Sequence, residues 1–169
     1  MLYKTILLCT LSVTSLHLHA ETALQQHLRK EMLLAYDNLD IQLGKCLDVR
    51  NNNVIDADRF KDSYLEQLPE KKRGLAILRL SNLALDKCTE KERADYALTL
   101  LKYTAESANT TYLDKWLTLE KVYRASDTKQ DFDTLDFMKL KQLSSQPPFD
   151  KPFDALQVFE LYRSDVENK

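Results

Sequence analysis

The stretch TALQQHLRKEMLLAYDNLDIQLGKCL, residues 22–47, decides the fold class of this chain of 169 residues. Its apolar residues recur at steps of three and four, the spacing that places side chains on one face of an α-helix. They are Leu24, Leu28, Met32, Ala35, Leu39, Leu43 and Cys46. The stretch therefore predicts an amphipathic helix that packs through one stripe and ends near its cysteine.

Helical spacing continues as far as residue 108. A short helix is expected before Pro69, which ends it, and a third helix over 70–87 carries an apolar stripe too wide for a surface helix. Thr89 and Glu92 have the spacing of a capping box, in which each side chain accepts from the other residue's backbone amide. This box predicts that a separate fourth helix begins at that point.

The C-terminal part of the chain is helical with one interruption. Spacing predicts helices over 111–124, 131–143 and 155–166, and Asp154 has the position of an N-cap for the last of them. The interruption, Pro147–Phe153, is rich in proline. We expect it to be an extended connection on the surface.

Glycine usage supports the same fold class. The chain contains only 2 glycines, Gly44 and Gly74, whereas the tight turns of a hairpin-rich sheet depend on glycine. We therefore predict an all-α fold, a single-domain helical bundle of six or seven helices tied by one disulfide.

The beginning of the chain, MLYKTILLCTLSVTSLHLHA, has the layout of a secretory signal peptide. Lys4 gives a positive start, Thr5–Leu16 is uncharged and mostly apolar, and a small residue, Ala20, stands at the exit. The apolar run is too short to span a bilayer. We expect residues 1–20 to be cleaved and residues 21–169 to form one helical domain, periplasmic or secreted, without stable membrane insertion.

Two cysteines, Cys46 and Cys88, remain once the predicted signal peptide is removed together with Cys9. A single cysteine pair in an exported chain, without C-x-x-C spacing, predicts a structural disulfide rather than free thiols. If the first helix runs up, the short helix down and the third helix up, both cysteines lie at the same end of the bundle. The disulfide is then expected to join two parallel helices near one tip.

Charge and motif content exclude several classes of function. The chain carries 24 basic and 26 acidic residues without a basic block, so it has no electrostatic footprint for nucleic acid or for an anionic membrane. Two glycines cannot form a glycine-rich phosphate loop. The sequence predicts no cofactor.

Residues 47–60, LDVRNNNVIDADRF, resemble the calcium loop of an EF-hand over about thirteen residues. Asp48, Asn52 and Asp56 fall at three of the ligand positions of such a loop. Arginine stands at two further positions that normally supply oxygen ligands, which opposes cation binding. Three interpretations remain: a divalent-cation loop, a metal-free loop of similar shape, and an ordinary polar turn between helices, which we favour.

Catalytic side chains are scarce in the predicted mature chain. The densest carboxylate cluster consists of Asp131, Asp133 and Asp136. Such a cluster, or Glu106, could serve glycoside hydrolysis, although acidic residues at the start of a helix also favour its dipole. His27 is the one imidazole available for nucleophilic catalysis, and it lies in an amphipathic helix. A cell-wall glycan hydrolase therefore stays as an alternative function.

The leading hypothesis is a non-enzymatic exported helical protein that binds a macromolecular partner. A protein is the favoured partner, in an inhibitor, immunity, chaperone or envelope-assembly role. Phe149 and Phe153 are the candidate contacts. In an extended connection the two rings either pack onto the bundle, which we favour, or are offered to a partner. The aromatic residues Tyr112, Trp116 and Tyr123, at helical spacing, are expected to be core rather than a ligand platform.

Overall fold

Seven helices make up most of the residues that the structure, a computed structural model, describes, namely 21–125 and 136–167. They are α1 (Ala23–Asn52), α2 (Ala57–Phe60), α3 (Ser63–Gln67), α4 (Glu70–Ser107), α5 (Thr111–Ala125), α6 (Phe137–Leu143) and α7 (Ala155–Glu167). No strand occurs in these ranges. The predicted all-α, single-domain bundle with one disulfide is confirmed.

The ends of α1 follow from local sequence. The Thr22 hydroxyl accepts from the Gln25 amide at 3.1 Å, and the Gln25 side chain accepts from the Thr22 amide at 2.9 Å, which completes a capping box. At the other end the helix runs past Cys46 and ends at Asn52, followed by Asn53 in an extended conformation. Asparagine has low helix propensity, so the helix stops inside the run of three asparagines.

One continuous helix, α4, replaces the two helices predicted over 70–87 and from residue 89. Thr89 lies buried in the middle of α4, and its hydroxyl donates to the Leu85 carbonyl oxygen at 3.0 Å. The predicted capping box of Thr89 and Glu92 is therefore wrong. The second half of α4 contains no glycine or proline, and a threonine that bonds back to the preceding turn does not end a helix.

α1 runs antiparallel to the second half of α4. The Gln25 side chain donates to the Glu106 carbonyl oxygen at one end of the pair, and the Cys46–Cys88 disulfide joins the other end, with the Cα atoms 6.1 Å apart. The predicted disulfide is confirmed. The predicted parallel arrangement at a shared tip is wrong, because Cys88 lies in the middle of a long helix instead of at a helix end.

Two clusters of buried side chains lie along α4, one on each side of the disulfide. The first core surrounds the first half of α4 and contains Phe60, Leu65, Ala76, Ile77, Leu80, Ala84, Leu140, Leu143, Phe149, Phe153, Val158 and Tyr162. The second core lies between α1, α4 and α5 and contains Met32, Ala35, Leu39, Tyr96, Leu100 and Tyr103. With 38 residues, α4 is about 57 Å long and reaches through both.

The connection Pro147–Phe153 folds onto the first core instead of extending over the surface. Phe149 and Phe153 are 2% and 0% exposed, and their ring centroids lie 5.6 and 5.4 Å from that of Phe60. The Ser81 hydroxyl donates to the Phe153 carbonyl oxygen at 2.9 Å. Both phenylalanines are core residues. The favoured interpretation, in which they pack onto the bundle, is confirmed, and the alternative, in which they contact a partner, is wrong.

Two predictions lie wholly or partly outside the described residues. The predicted signal peptide, residues 1–20, is not described, and the helix predicted over 131–143 is described from Phe137 onward. Within the described ranges, no helix is both long enough and apolar enough to cross a membrane.

Tyr162 joins α7 to the segment between α2 and α3. Its hydroxyl donates to the Phe60 carbonyl oxygen at 2.7 Å and accepts from the Asp62 amide at 2.9 Å. Burial raises the pKa of Tyr162 from 10.0 to about 12. Because the folded state favours the neutral phenol, this contribution to stability is fully present below pH 10 and is lost as the pH rises through 12.

We predict that Tyr162→Phe lowers the free energy of unfolding at neutral pH by about 1–3 kcal/mol, because the buried Phe60 carbonyl and the half-buried Asp62 amide each lose a partner. Because phenylalanine does not titrate, the variant is also expected to lack the loss of stability that ionisation of Tyr162 causes at alkaline pH. Urea denaturation at neutral pH and at several alkaline pH values measures both effects. Tyr36→Phe, at an exposed tyrosine, is the control, and equal alkaline profiles for wild type and Tyr162→Phe would contradict the assignment.

Candidate functional site

The EF-hand-like stretch does not form a calcium loop. Residues 48–52 belong to α1, where the Asn52 side chain donates to the Asp48 carbonyl oxygen at 2.9 Å. The Asp56 carboxylate caps α2 by accepting from the Arg59 amide at 2.9 Å. The loop interpretation is therefore wrong over its first five positions, because α1 extends through them. In the part of the chain that the structure describes, no cluster of His, Cys, Asp or Glu could hold a metal ion.

The candidate catalytic residues that the structure describes occupy helix ends and helix surfaces, whereas Asp131 and Asp133 lie outside the described residues. Asp136 is the N-cap of α6 and accepts from the Lys139 amide at 2.9 Å. Glu106 lies exposed in the last turn of α4. His27 lies exposed on α1, with its Nε2 atom 3.4 Å from a carboxylate oxygen of Glu31 one turn later. The contacts of Asp136 and His27 are those of ordinary helix stabilisation.

An apolar groove between α1 and α5, with α4 as its floor, is the best candidate for a functional site. We call it the aromatic groove. It encloses about 270 Å³ and is lined by Met32, Leu33, Tyr36, Tyr96, Tyr112, Lys115, Trp116 and Leu119. Its aromatic residues include the only tryptophan of the chain.

The rings of the aromatic groove contact one another edge to face. The Tyr96 centroid lies 5.5 Å from that of Tyr36 and 5.0 Å from that of Trp116, and Tyr112 makes a similar contact with Tyr103 at 6.1 Å. Each such pair contributes about 0.5–1.5 kcal/mol beyond simple burial. Burial raises the pKa of Tyr96, so the floor of the groove stays uncharged. The rings are thus ordered by their neighbours.

Arg93 of α4 holds α5 in place behind the groove. Its guanidinium donates to Asp86 of α4 at 3.1 Å and to Glu120 of α5. The same guanidinium lies 5.7 Å from the centroid of the Trp116 ring. Charge-assisted hydrogen bonds and the cation–π contact together fix the orientation of this ring in the groove wall.

The rim of the groove exposes apolar side chains. Leu33 and Tyr36 of α1 are 41% and 48% exposed, and Leu119 of α5 is 63% exposed. Val122, one turn after Leu119, is 69% exposed. Single exposed apolar residues are common, but a contiguous patch beside an apolar cleft is typical of an interaction site.

The groove could not be recognised from the sequence for an identifiable reason. Tyr112 and Trp116 are predicted to be core residues, and the structure places them half-buried, packed against the second core and in the wall of the groove. Leu33 and Tyr36 lie beside the main apolar stripe of α1, and that second pair of apolar residues was the available signal. The Tyr123 side chain is outside the described set.

Comparison with known proteins does not assign the groove to a family: no family model, curated protein or solved structure matches the chain. Its interpretation therefore depends on size and lining. A volume of about 270 Å³ lies at the lower edge of the roughly 300–1,000 Å³ of typical small-ligand pockets. A cleft of this size and apolar character has room for a few apolar side chains or for a small apolar molecule.

Proposed function

We propose that this chain is an exported, non-catalytic protein that binds another protein through the aromatic groove. The observation that carries the proposal is an exposed apolar cleft whose rings are held in place by their neighbours. Aromatic side chains are enriched among the residues that dominate binding energy at protein interfaces. Rings that are already ordered also reduce the entropic cost of association.

The arrangement of helices supports an α-helix as the element that a partner inserts. α1 is antiparallel to α4, and the contacts of Tyr112 with Tyr103 and of Glu120 with Arg93 make α5 antiparallel to α4 as well. The three helices therefore resemble a four-helix bundle with one position open, between α1 and α5. A helix with an apolar face completes such a bundle, which is the helix-in-groove mode of recognition.

Export is supported by two independent features. The layout of residues 1–20 is that of a signal peptide. The Cys46–Cys88 disulfide is of a kind that persists in oxidising compartments. A rigid helical surface in that environment fits an inhibitor, an immunity protein, a chaperone or an envelope-assembly factor.

Site-specific photo-crosslinking in the native cells tests the proposal. A photoreactive residue at position 119, in the groove, is expected to give a discrete adduct with a protein. The mass of this chain in the adduct is expected to show that it begins near residue 21. The same residue at position 156, on α7, is the control, because Leu156 is 67% exposed and lies outside the groove.

A pair of adjacent leucines supplies a matched variant and control. Leu33→Glu places a charge in the groove and is expected to abolish the adduct at position 119. Leu34→Glu, at a residue that is 62% exposed and outside the groove, is expected to leave the adduct in place. The absence of any protein adduct at position 119, or equal adducts from both variants, would overturn the proposal.

A further inference from the structure

The two walls of the aromatic groove point in the same direction. Since α1 and α5 are both antiparallel to α4, they run parallel to each other. Their N-terminal parts form one end of the groove, where the Arg29 side chain of α1 lies beside Tyr112 of α5. At the other end, towards the C-termini, Asp40 of α1 lies one turn beyond Tyr36. The groove therefore has two different ends.

The end near the helix N-termini is basic. Lys115 lines the groove, is exposed and forms no ion pair with any residue in the ranges 21–125 and 136–167. The Arg29 side chain is 46% exposed and lies 3.6 Å from a carboxylate oxygen of Glu21. A hydrogen bond with Tyr112 and the charge of Glu21 raise the pKa of Arg29, so its guanidinium keeps its charge. Two cations and one carboxylate thus give this end a net positive charge.

The end near the helix C-termini offers a carboxylate to a partner. Asp40 follows Leu33 by seven residues and Tyr36 by four, so it lies on the same face of α1. Its side chain is exposed, and within the part of the chain that the structure describes it forms no ion pair. The guanidinium of Arg93, behind the groove, already donates to two other carboxylates. Opposite charges therefore stand at opposite ends of one apolar surface.

We propose that the protein partner inserts an amphipathic α-helix that runs antiparallel to α1, with carboxylates near its C-terminal end and a cation near its N-terminal end. This inference rests on the proposed function, since it names the chemistry of the helix that fills the groove. The carboxylates lie over Arg29 and Lys115, and the cation lies over Asp40. The apolar side chains between them cover the aromatic groove.

The antiparallel direction follows from the helices already in place. A fourth helix beside α1 and α5 completes an up-down-up-down bundle only when it runs opposite to both. Its dipole then places the partial negative charge of its C-terminus at the basic end of the groove and the partial positive charge of its N-terminus at the acidic end. Arg29 and Asp40 are about 16 Å apart along α1, so about three turns of the partner helix reach both ends.

The positions of the charges favour a helix over a small apolar molecule. The enclosed volume of about 270 Å³ is lined by Lys115 but not by Asp40, which lies beyond it on α1. Val122, 69% exposed, extends the apolar rim of α5 in the same direction. An occupant that contacts both charged ends and this rim must be longer than the cavity, and a helix with an apolar face meets that requirement.

Two synthetic peptides test the charge order. Both have about 18 residues, long enough to form a helix, with leucines at steps of three and four and without tryptophan. The first has lysines in its N-terminal turn and glutamates in its C-terminal turn, and the second has the two sets exchanged. Trp116 is the only tryptophan of the chain, so its fluorescence reports binding in the groove. The disulfide-bonded chain is expected to bind the first peptide about tenfold more tightly, because the exchange makes the contacts at both ends repulsive.

Exchange of the charges in the groove separates charge contacts from the intrinsic helicity of the peptides. The double variant Asp40→Lys/Lys115→Glu is expected to reverse the preference and to bind the second peptide more tightly, although the peptides themselves are unchanged. Asp48→Lys/Lys121→Glu carries the same charge changes at exposed residues outside the groove, and it is expected to keep the wild-type preference. For wild type the preference is expected to shrink in 1 M salt, which screens charges beyond about 3 Å.

Three results would overturn the inference: equal affinity of wild type for the two peptides, no measurable binding of either peptide, or an unchanged preference in Asp40→Lys/Lys115→Glu. A photo-crosslinked adduct at position 119 that consists of two copies of this chain would also overturn it. If any of the three results is found beside an adduct with a different protein, the proposed function stands and only the charge order of the partner helix is removed. The absence of every protein adduct at position 119 would instead remove the proposed function, and with it the partner that carries this helix.

Discussion

Removal of the disulfide by Cys46→Ala/Cys88→Ala is expected to lower the free energy of unfolding by about 4 kcal/mol relative to the oxidised chain. The bond closes a loop with a sequence separation of 42, and the entropy that it removes from the unfolded chain grows with the length of that loop. For a domain of this size the loss corresponds to a melting temperature lower by about 10 °C. Urea denaturation and thermal melting measure both quantities.

The control for this prediction is reduction of the wild-type chain. A reductant should lower the stability of wild type to that of the double variant and should leave the double variant unchanged. Because the disulfide joins Cys46 and Cys88, an oxidised chain that has lost residues 1–20, and Cys9 with them, is expected to contain no thiol that an alkylating reagent can modify. Two results would contradict the prediction. One is alkylation of a native chain that has full stability. The other is a change in the free energy of unfolding below about 1 kcal/mol, which is less than the usual effect of losing a native disulfide.

Phe153→Ala is expected to cost about 3–5 kcal/mol of the free energy of unfolding, the usual range for the loss of a buried aromatic ring. The Phe153 side chain is 0% exposed, and its ring packs against those of Phe60 and Phe149 in the first core. Alanine leaves a cavity beside both rings. A typical domain has only about 5–15 kcal/mol in total, so the variant approaches the limit of stable folding.

Leu156→Ala is the matched control for Phe153→Ala. Leu156 is 67% exposed and lies three residues later in the chain, so its loss is expected to change the free energy of unfolding by less than about 0.5 kcal/mol. Urea denaturation of both variants gives the comparison. A cost for Phe153→Ala as small as that for Leu156→Ala would place the ring at the surface and restore the partner-contact interpretation of the Pro147–Phe153 segment.

Local sequence predicted the features that depend on neighbouring residues. The predicted helix over 111–124 agrees with α5, Thr111–Ala125, because periodicity within one helix is visible in the sequence. Asp154 accepts from the amides of Leu156 and Gln157 as expected of an N-cap, since capping involves residues two and three positions apart. Cysteine count predicted the disulfide.

Local sequence was misleading where one stretch of residues fits two local structures. Thr89 and Glu92 can form a capping box or lie within a helix, and packing against α1 selects the continuous helix α4. The same choice moves Cys88 from a helix end to the middle of α4. It therefore changes the pairing of α1 with α4 from parallel to antiparallel.

The all-α class, the disulfide and most helix bounds were thus determined by the chain's own periodicity, caps and cysteines. Only the tertiary structure decided that Phe149 and Phe153 are buried and that the aromatic groove is exposed, because both features depend on residues distant in the chain. Phe60 and Ser81 cover the first pair, and no described helix covers Leu33, Tyr36 and Leu119. Hydrophobic burial is non-directional. The same apolar spacing therefore gives core residues where another part of the chain packs on it, and an exposed apolar surface where none does.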